Sequence, residues 1–226
     1  MKSSTFDAYA SDYEGHLDDP WRRRFAAGSG FFIHQKCRAM LREIGDVATR
    51  PLALDVGCGG GPAVEFLSSR WRTVGTDVSL KMLSAGPSGL KLAVQEPFAL
   101  PFRDDTFDIV FAFCVYHHLH RADHVRHLRE LTRVLRPGGR LFVFEHNPFN
   151  PITQIVFRRA PVDRGCRMIP PMQLRRTFAA ASLSSLRTGY LLFVPEVWAR
   201  GLERVEAALR WLPLGGQYFV SGIKPR

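Results

Sequence analysis

Two acids and a run of glycines mark the first place in this chain where chemistry is expected. Asp55 ends an apolar run and opens the turn Asp55-Val-Gly-Cys-Gly-Gly-Gly-Pro62, and Asp77 ends a second apolar run twenty residues beyond Gly57. Glycines permit a tight turn, let a ligand lie on bare main chain, and leave amides free to donate at a helix N-terminus. A carboxylate ending the next strand sits where a nucleotide's ribose would lie. A pyrophosphate-binding turn would read G-x-G-x-x-G, but Pro62 stands at the sixth position here. The G-x-G-x-G spacing, with Asp55 two residues ahead, suits a ligand with a charged amino-acid end, because an acid beside a diphosphate would repel it.

Groups able to move protons follow on two later loops, Tyr116-His117-His118 and Glu145-His146. Each ends an apolar run, and the C-terminal ends of strands are where an open α/β sheet holds its ligands. A neutral imidazole with a pKa of about 6.5 suits removal of a phenol or enol proton. His117 and His146 are therefore the leading general-base candidates, followed by Tyr116, while His118 is expected to anchor its loop. His120, His124 and His127 have helical spacing, but no Cys or acid completes a ligand set on that face. They are expected to be exposed helix histidines, with no metal.

The elements that position these groups alternate. Leu52–Val56, Thr73–Thr76, Leu90–Val94, Phe107–Val115 and Arg140–Glu145 are apolar and partly β-branched, and read as buried strands. Val125, Leu128, Leu131 and Leu135 recur at helical spacing before the stop Arg136-Pro-Gly-Gly139. Such alternation predicts a mostly parallel sheet with helices on both faces. The first 50 residues read as a helical lead-in rich in aromatics. Leu174–Ala181 reads as a helix, Leu186–Val194 as a strand, and Trp198, Leu202, Val205, Leu209 and Leu212 as one more helical stripe. Gln217–Gly222 reads as a final strand, so the sheet is expected to close with an antiparallel C-terminal edge.

Length and composition set the outer limits. At 226 residues with 46% hydrophobic and 23% charged residues, one globular domain is expected, 1–226. Its parts are a helical lid (1–50), a binding core (51–146) and a substrate-side insertion with the last strands (147–226). The N-terminus lacks an apolar signal core, and the longest apolar run, Ile109 to Tyr116, is too short to span a bilayer. A cytoplasmic protein is expected, and the scattered Cys37, Cys58, Cys114 and Cys166 suit a reducing compartment. Net charge is +10, concentrated in Arg22–Arg24 and in Arg158, Arg159, Arg164, Arg167, Arg175 and Arg176. That surplus is either a solvated face or a docking surface for an acidic partner.

Taken together, the motifs resemble those of class I S-adenosylmethionine (SAM) dependent methyltransferases, of the group typified by ubiquinone- and menaquinone-biosynthesis enzymes. The resemblance runs through Asp55-Val-Gly-Cys-Gly-Gly-Gly61, Gly75-Thr-Asp-Val-Ser79, Glu96-Pro-Phe-Ala-Leu-Pro-Phe102, Phe107–Leu119 and Leu135-Arg-Pro-Gly-Gly-Arg-Leu141. It implies a Rossmann-like class I methyltransferase sheet and SAM as cofactor, with S-adenosylhomocysteine as product. By carry-over, Gly57, Cys58 and Gly59 would line the methionine end through their backbone. Asp77 would accept both ribose hydroxyls, Val78 would flank adenine, and Glu96 would take the place of an aspartate that accepts from the adenine amine. Phe113 would meet the donor's amino group through its carbonyl. Asp55, Gly61, Phe98, His118 and Tyr13 complete the expected cofactor-facing set, and Phe6, Tyr13 and Phe32 would lid the pocket.

Methyl transfer is an in-line displacement, so the protein must align the partners, exclude water and remove at most one proton. The expected activity is transfer to a small-molecule acceptor, at a hydroxyl or activated carbon of an aromatic, polyene or lipid-like compound. The alternatives are a SAM-binding scaffold or rearrangement catalyst, and an enzyme whose substrate rides on an acidic acyl carrier protein docked at the arginines. Nucleic acid is not the expected acceptor: Asn147-Pro-Phe149 follows the fifth strand and lacks the second proline of base-modifying loops, so it reads as a turn.

Overall fold

The computed structural model describes residues 6–47 and 49–226. The first five residues, where the absence of a signal segment was read, and Ala48 lie outside them. Strands β1 (Leu52–Val56), β2 (Arg72–Asp77), β3 (Leu92–Val94), β4 (Phe107–Phe113), β5 (Leu135–His146), β6 (Ser184–Leu191) and β7 (Gln217–Ile223) form one sheet in the order β3-β2-β1-β4-β5-β7-β6. Strands β1 to β5 pair in parallel, and β7 alone runs against the rest, slotted between β5 and β6. This is the mostly parallel sheet that the alternating pattern predicts, and it has the Rossmann-like form that the resemblance implies.

Helices α1 (Tyr13–His16), α2 (Pro20–Phe25) and α3 (Ser29–Ile44) precede the sheet. Then come α4 (Pro62–Leu67), α5 (Leu80–Ser84), α6 (His124–Val134), α7 (Pro151–Arg159), α8 (Pro171–Ala180), α9 (Glu196–Ala199) and α10 (Glu203–Ala208). The period-two alternation of β5 divides the core between two faces. Leu141 and Val143 pack with Leu128 and Leu131 of α6 and with Leu174 and Phe178 of α8. Phe142 and Phe144 point the other way, into Cys37 and Met40 of α3 and Leu67 of α4. Both helices that frame the site are capped by the residue before a proline. Asp19 accepts from the Trp21 amide at 2.8 Å ahead of α2, and Asn150 accepts from the Thr153 amide at 2.9 Å ahead of α7.

Three segments depart from expectation. Helix α6 stops at Val134, but the following Pro-Gly-Gly joins the sheet because Gly138 donates to Lys224 and Lys224 donates back to Gly139. The Lys224 ammonium also donates to the Thr132 and Leu135 carbonyls at 2.9 and 2.8 Å, closing the open end of α6. Strand β6 ends at Leu191 instead of Val194, because the buried Glu206 carboxylate takes the amides of Leu192, Phe193 and Val194 away from the ladder. The single stripe expected over 198–212 is two short helices, α9 and α10, parted at Gly201, with Trp198, Leu202 and Val205 exposed.

Close approach of backbones fixes one glycine near the site. A Cβ on Gly215 would lie 2.4 Å from the Leu191 carbonyl oxygen, whereas one on Gly30 would meet nothing within 4 Å. Gly215→Ala is expected to cost about 1–3 kcal/mol through overpacking. Gly30→Ala, inside α3, is expected to stabilise by about 0.5 kcal/mol. Urea denaturation of the two variants beside the parent protein measures both.

Candidate active site

A cavity of about 560 Å³ opens over the C-terminal ends of β1, β2, β4 and β5, within the usual range for a small-molecule site. It lies where the strand order reverses between β1 and β4. Its two ends differ in chemistry.

At one end the chain offers bare backbone and acids. Gly57, Gly59 and Gly61 have φ of 77°, 54° and 82°, the left-handed region where a side chain is strained. A Cβ on Gly57 would also lie 2.5 Å from a Val115 methyl. Asp77 accepts from the Gly59 and Ser79 amides, both at 2.9 Å. Burial raises its pKa, and those amides pull it part of the way back. Asp55 is 2% exposed, and its Oδ1 has no partner. Burial, reinforced by the Asp77 charge, pushes its carboxyl up to about 8.

Beside these acids stands Lys36 of α3, 5% exposed. Its ammonium donates to Cys114 Sγ at 3.5 Å and lies 5.2 Å above the Phe113 ring. Gln217 Nε2 reaches the same sulfur at 3.6 Å, while its buried Oε1 is unpartnered. Burial raises the Cys114 thiol, but the Lys36 charge and the adjacent His146 outweigh it and bring the value to about 7. Cys114 itself has φ 56°.

The other end is organised by His117. Its Nδ1 lies 2.7 Å from Glu145 Oε2 and its Nε2 3.1 Å from Asp163 Oδ1. Both partners are acceptors, so both ring nitrogens donate and the ring is an imidazolium. Burial alone would lower its pKa; the Glu145 and Asp163 carboxylates hold it well above the ordinary value. Glu145 also accepts from the amides of Tyr116 and His117 at 2.8 and 3.3 Å, which pins the 3-10 turn Tyr116–His118 to the end of β5. His118 is neutral: burial, then the adjacent His117 charge, lowers it to about 3. Its Nε2 lies 3.6 Å from Asp163 and its Nδ1 3.2 Å from Cys166 Sγ. His146, at the end of β5, faces the cavity with its ring 5.2 Å from His117 and 5.3 Å from Phe157.

Of the residues singled out from the sequence, Tyr13, Asp55, Gly57, Cys58, Gly59, Asp77, Phe113, His117, His118 and His146 line this cavity, as do Phe6 and Phe32. Tyr116 does not. It is fully buried, and its hydroxyl meets His127 Nδ1 at 3.0 Å, so it cannot reach an acceptor. His117 lines the wall, but with both nitrogens committed it has no lone pair for a proton and is a positioning residue. Glu96 is exposed, away from the cavity, and Phe98 packs under the Arg126 guanidinium at 4.8 Å. Gly61 and Val78 are buried behind the cavity-lining residues. His124 and His127, expected on an exposed face, are buried: His124 Nε2 binds the Tyr116 carbonyl at 3.0 Å, and both rings brace the Tyr116 side chain.

Sequence reasoning passed over Lys36, Asp163, Cys114 and Gln217 as site residues. The signal for Lys36 was present, since it shares a helical stripe with Phe32, Ile33, Cys37 and Met40 and is the one charge on it. Asp163 offered only its isolation, as the sole acid between Asn147 and Pro195.

Comparison with known proteins supplies a context for this geometry. Residues 54–143 match a methyltransferase domain family. The chain is 30% identical over 190 residues to a demethylmenaquinone methyltransferase of Mycolicibacterium vanbaalenii, covering 79% of this chain and 78% of that one. It is 34% identical over 95 residues to a probable tRNA methyltransferase 9B of Bos taurus, covering 41% of this chain but only 21% of that longer protein. The fold resembles that of a SAM-dependent methyltransferase, possible histamine N-methyltransferase, of Thermotoga maritima (TM-score 0.70, 16% identity, 98% of this chain and 99% of that one).

The buried triad makes a pH-dependent contribution whose sign follows from the shifts. His117 has a raised folded pKa, so its stabilisation is complete below its ordinary value of 6.5 and is lost as pH rises through the folded value. Glu145 and Asp163 have lowered folded pKa values, since His117 overcomes the effect of burial. Their stabilisation is present above the ordinary values of 4.5 and 3.8 and is lost as pH falls through the folded ones. Glu145→Gln is expected to cost about 3 kcal/mol by leaving a buried charge half-paired, and to flatten the alkaline side of the stability profile. Urea denaturation across pH tests both effects.

Proposed function

This chain belongs to the class I S-adenosylmethionine-dependent methyltransferases, and we propose that it methylates a small, largely apolar acceptor at a hydroxyl or activated carbon, with His146 taking the proton. The observation that carries the proposal is the joining, in one cavity, of a glycine-and-acid end to an aromatic end that meets it at His146.

The residues present fit the donor. The buried Asp55 Oδ1 has no partner, and the Gly57 backbone has no room for a side chain; both suit a ligand that presses against main chain and brings its own donors. When bound, SAM supplies an electrophilic methyl group on a sulfonium. The amides around Gly57 to Gly59 and the Asp55 carboxyl would hold the amino-acid end, with the Lys36 ammonium neutralising its carboxylate. Asp77 would hold the ribose, its orientation already fixed by the Gly59 and Ser79 amides.

On the acceptor side, His146 is the histidine left to act as base. His117 is fully protonated by its two carboxylates, and His118 is drawn towards Asp163 and Cys166. Phe157, Phe6 and Trp21 would exclude water and receive an apolar or aromatic acceptor. The demethylmenaquinone methyltransferase relative favours a quinol-type ring, a class consistent with those walls. A hydroxyl or acidic ring carbon would give up its proton to His146 as the new bond to carbon forms.

Calorimetry with S-adenosylhomocysteine, together with turnover on a panel of hydroquinones and phenols, tests this reading. Asp77→Ala is expected to weaken S-adenosylhomocysteine binding by about 10- to 100-fold, the loss of charged hydrogen bonds. His146→Ala is expected to leave that affinity unchanged and to slow methyl transfer by about 10²–10⁴-fold. Unchanged turnover in His146→Ala would remove the assigned base, and preference for a nicotinamide dinucleotide would remove the donor.

A further inference from the structure

The mouth of the cavity is bordered by α2, α7 and the loop ahead of β7. Helices α2 and α7 are tied by the Arg159–Asp19 ion pair at 3.0 Å. The loop is tied to the start of α7 because Asn150 Nδ2 donates to the Leu214 carbonyl at 2.7 Å, and Asn147 Nδ2 donates to the Pro213 and Gly215 carbonyls. This fixed rim presents large apolar side chains to solvent: Trp21 (38% exposed), Phe149 (59%), Ile152 (49%) and Leu214 (62%). Trp21, Ile152 and Leu214 also line the cavity, so the exposed patch and the pocket wall are continuous. Ile155, one turn beyond Ile152 on α7, extends the patch. A contiguous apolar patch at a mouth is uncommon on a surface that meets only water.

The charge around the patch is mainly positive: of the acids that share the cavity lining there, Asp18 is paired with Arg23 at 2.9 Å and Glu14 accepts from the Ser29 amide at 3.4 Å. Arg23, Arg24 and Arg158 are exposed, and the Arg24 guanidinium lies 5.2 Å over the Trp21 ring. Helix α7 contains no acid. Asp19 is bound to Arg159, and Asp163, the sole acid between Asn147 and Pro195, is buried against His117. Aromatic and aliphatic tips ringed by arginines match the boundary of an anionic bilayer, where apolar tips enter the acyl region and guanidinium groups meet lipid phosphates. RNA or an acidic carrier protein would use the arginines but leave Ile152 and Leu214 without a partner.

We propose that this rim docks on an anionic phospholipid surface, so that the cavity mouth opens directly onto the lipid and takes up a membrane-dissolved acceptor. The docking stands on the rim alone; what passes through the mouth rests on the functional reading above. The contact is peripheral, because no helix among the described residues is long and apolar enough to cross a membrane.

Co-sedimentation of the whole chain with vesicles tests the proposal, comparing phosphatidylcholine alone with phosphatidylcholine mixed with phosphatidylglycerol. The protein is expected to sediment with the mixed vesicles and at least tenfold less with the neutral ones. Raised salt should weaken the association, as screening requires. The double variant Phe149→Ser, Ile155→Ser should lower the partition coefficient by about tenfold or more, given the area each side chain would bury. Arg24→Glu with Arg158→Glu should abolish the preference for anionic lipid. Both variants should keep the parent melting temperature and S-adenosylhomocysteine affinity, which separates lost docking from lost folding. Failure of the parent protein to sediment with mixed vesicles, or equal sedimentation of parent and variants, would overturn the proposal. So would tighter binding to RNA or to an acidic carrier protein that vesicles do not displace. If vesicles bind but S-adenosylhomocysteine does not, the docking stands and the functional reading falls; the reverse result removes the docking alone.

Discussion

A doubly bonded imidazolium, His117, fastens the segment after α7 to the neighbouring ends of β4 and β5. Glu145 brings the end of β5, the Tyr116–His118 turn follows β4, and Asp163 lies on the segment after α7. A buried charge is tolerable only when its partners are complete, and removing one leaves the others uncompensated. The geometry meets that condition, because Glu145 also accepts two amides from the turn it holds. One consequence is that the segment 147–195, otherwise rich in arginine and free of acids, is tied to the ends of β4 and β5 through its one carboxylate. The other is that His117, in spite of its place, keeps its protons and has no lone pair to offer a substrate.

The opposite end of the cavity is built on the reverse principle. Asp55 Oδ1 and Gln217 Oε1 are buried without partners, and the buried Lys36 ammonium donates to a thiol beside an aromatic face. Unsatisfied buried polar atoms cost stability, and a fold retains them where a ligand completes the set. Within the cavity lining, the unpartnered atoms of Asp55 and Gln217 thus contrast with the fully bonded His117. The two shifts have opposite causes: burial and the Asp77 charge raise the Asp55 carboxyl, while Lys36 above all lowers the Cys114 thiol against the effect of burial.

How far the sequence could be read depended on whether a residue's partners were near it along the chain. The strands of the core, the turn at 55–61 and the acid at 77 were legible because each is a local pattern imposed by backbone geometry. The tail was misread for a local reason as well: its apolar spacing is helical, yet Gly201 and the amide-binding Glu206 break it, and most of the stripe faces solvent. His124 and His127 share spacing with Leu128 and Leu131, a sign of burial that the polar character of histidine concealed. The roles of His117 and Lys36 were not legible, because Asp163 lies 46 residues and Cys114 78 residues away from them. Nothing in a neighbouring motif announces such pairs; only the packing of helix α3 and of the turn after α7 against the sheet brings them together.

The protonation of His117 can be read directly by nitrogen NMR of labelled imidazole rings at a pH of about 8, well above the ordinary histidine value of about 6.5. The account predicts that one ring remains doubly protonated there, with both nitrogens carrying hydrogens, and that this signal vanishes in a His117→Gln protein. A His117 ring found neutral at that pH, with one bare nitrogen, would contradict it and return His117 to the list of candidate bases.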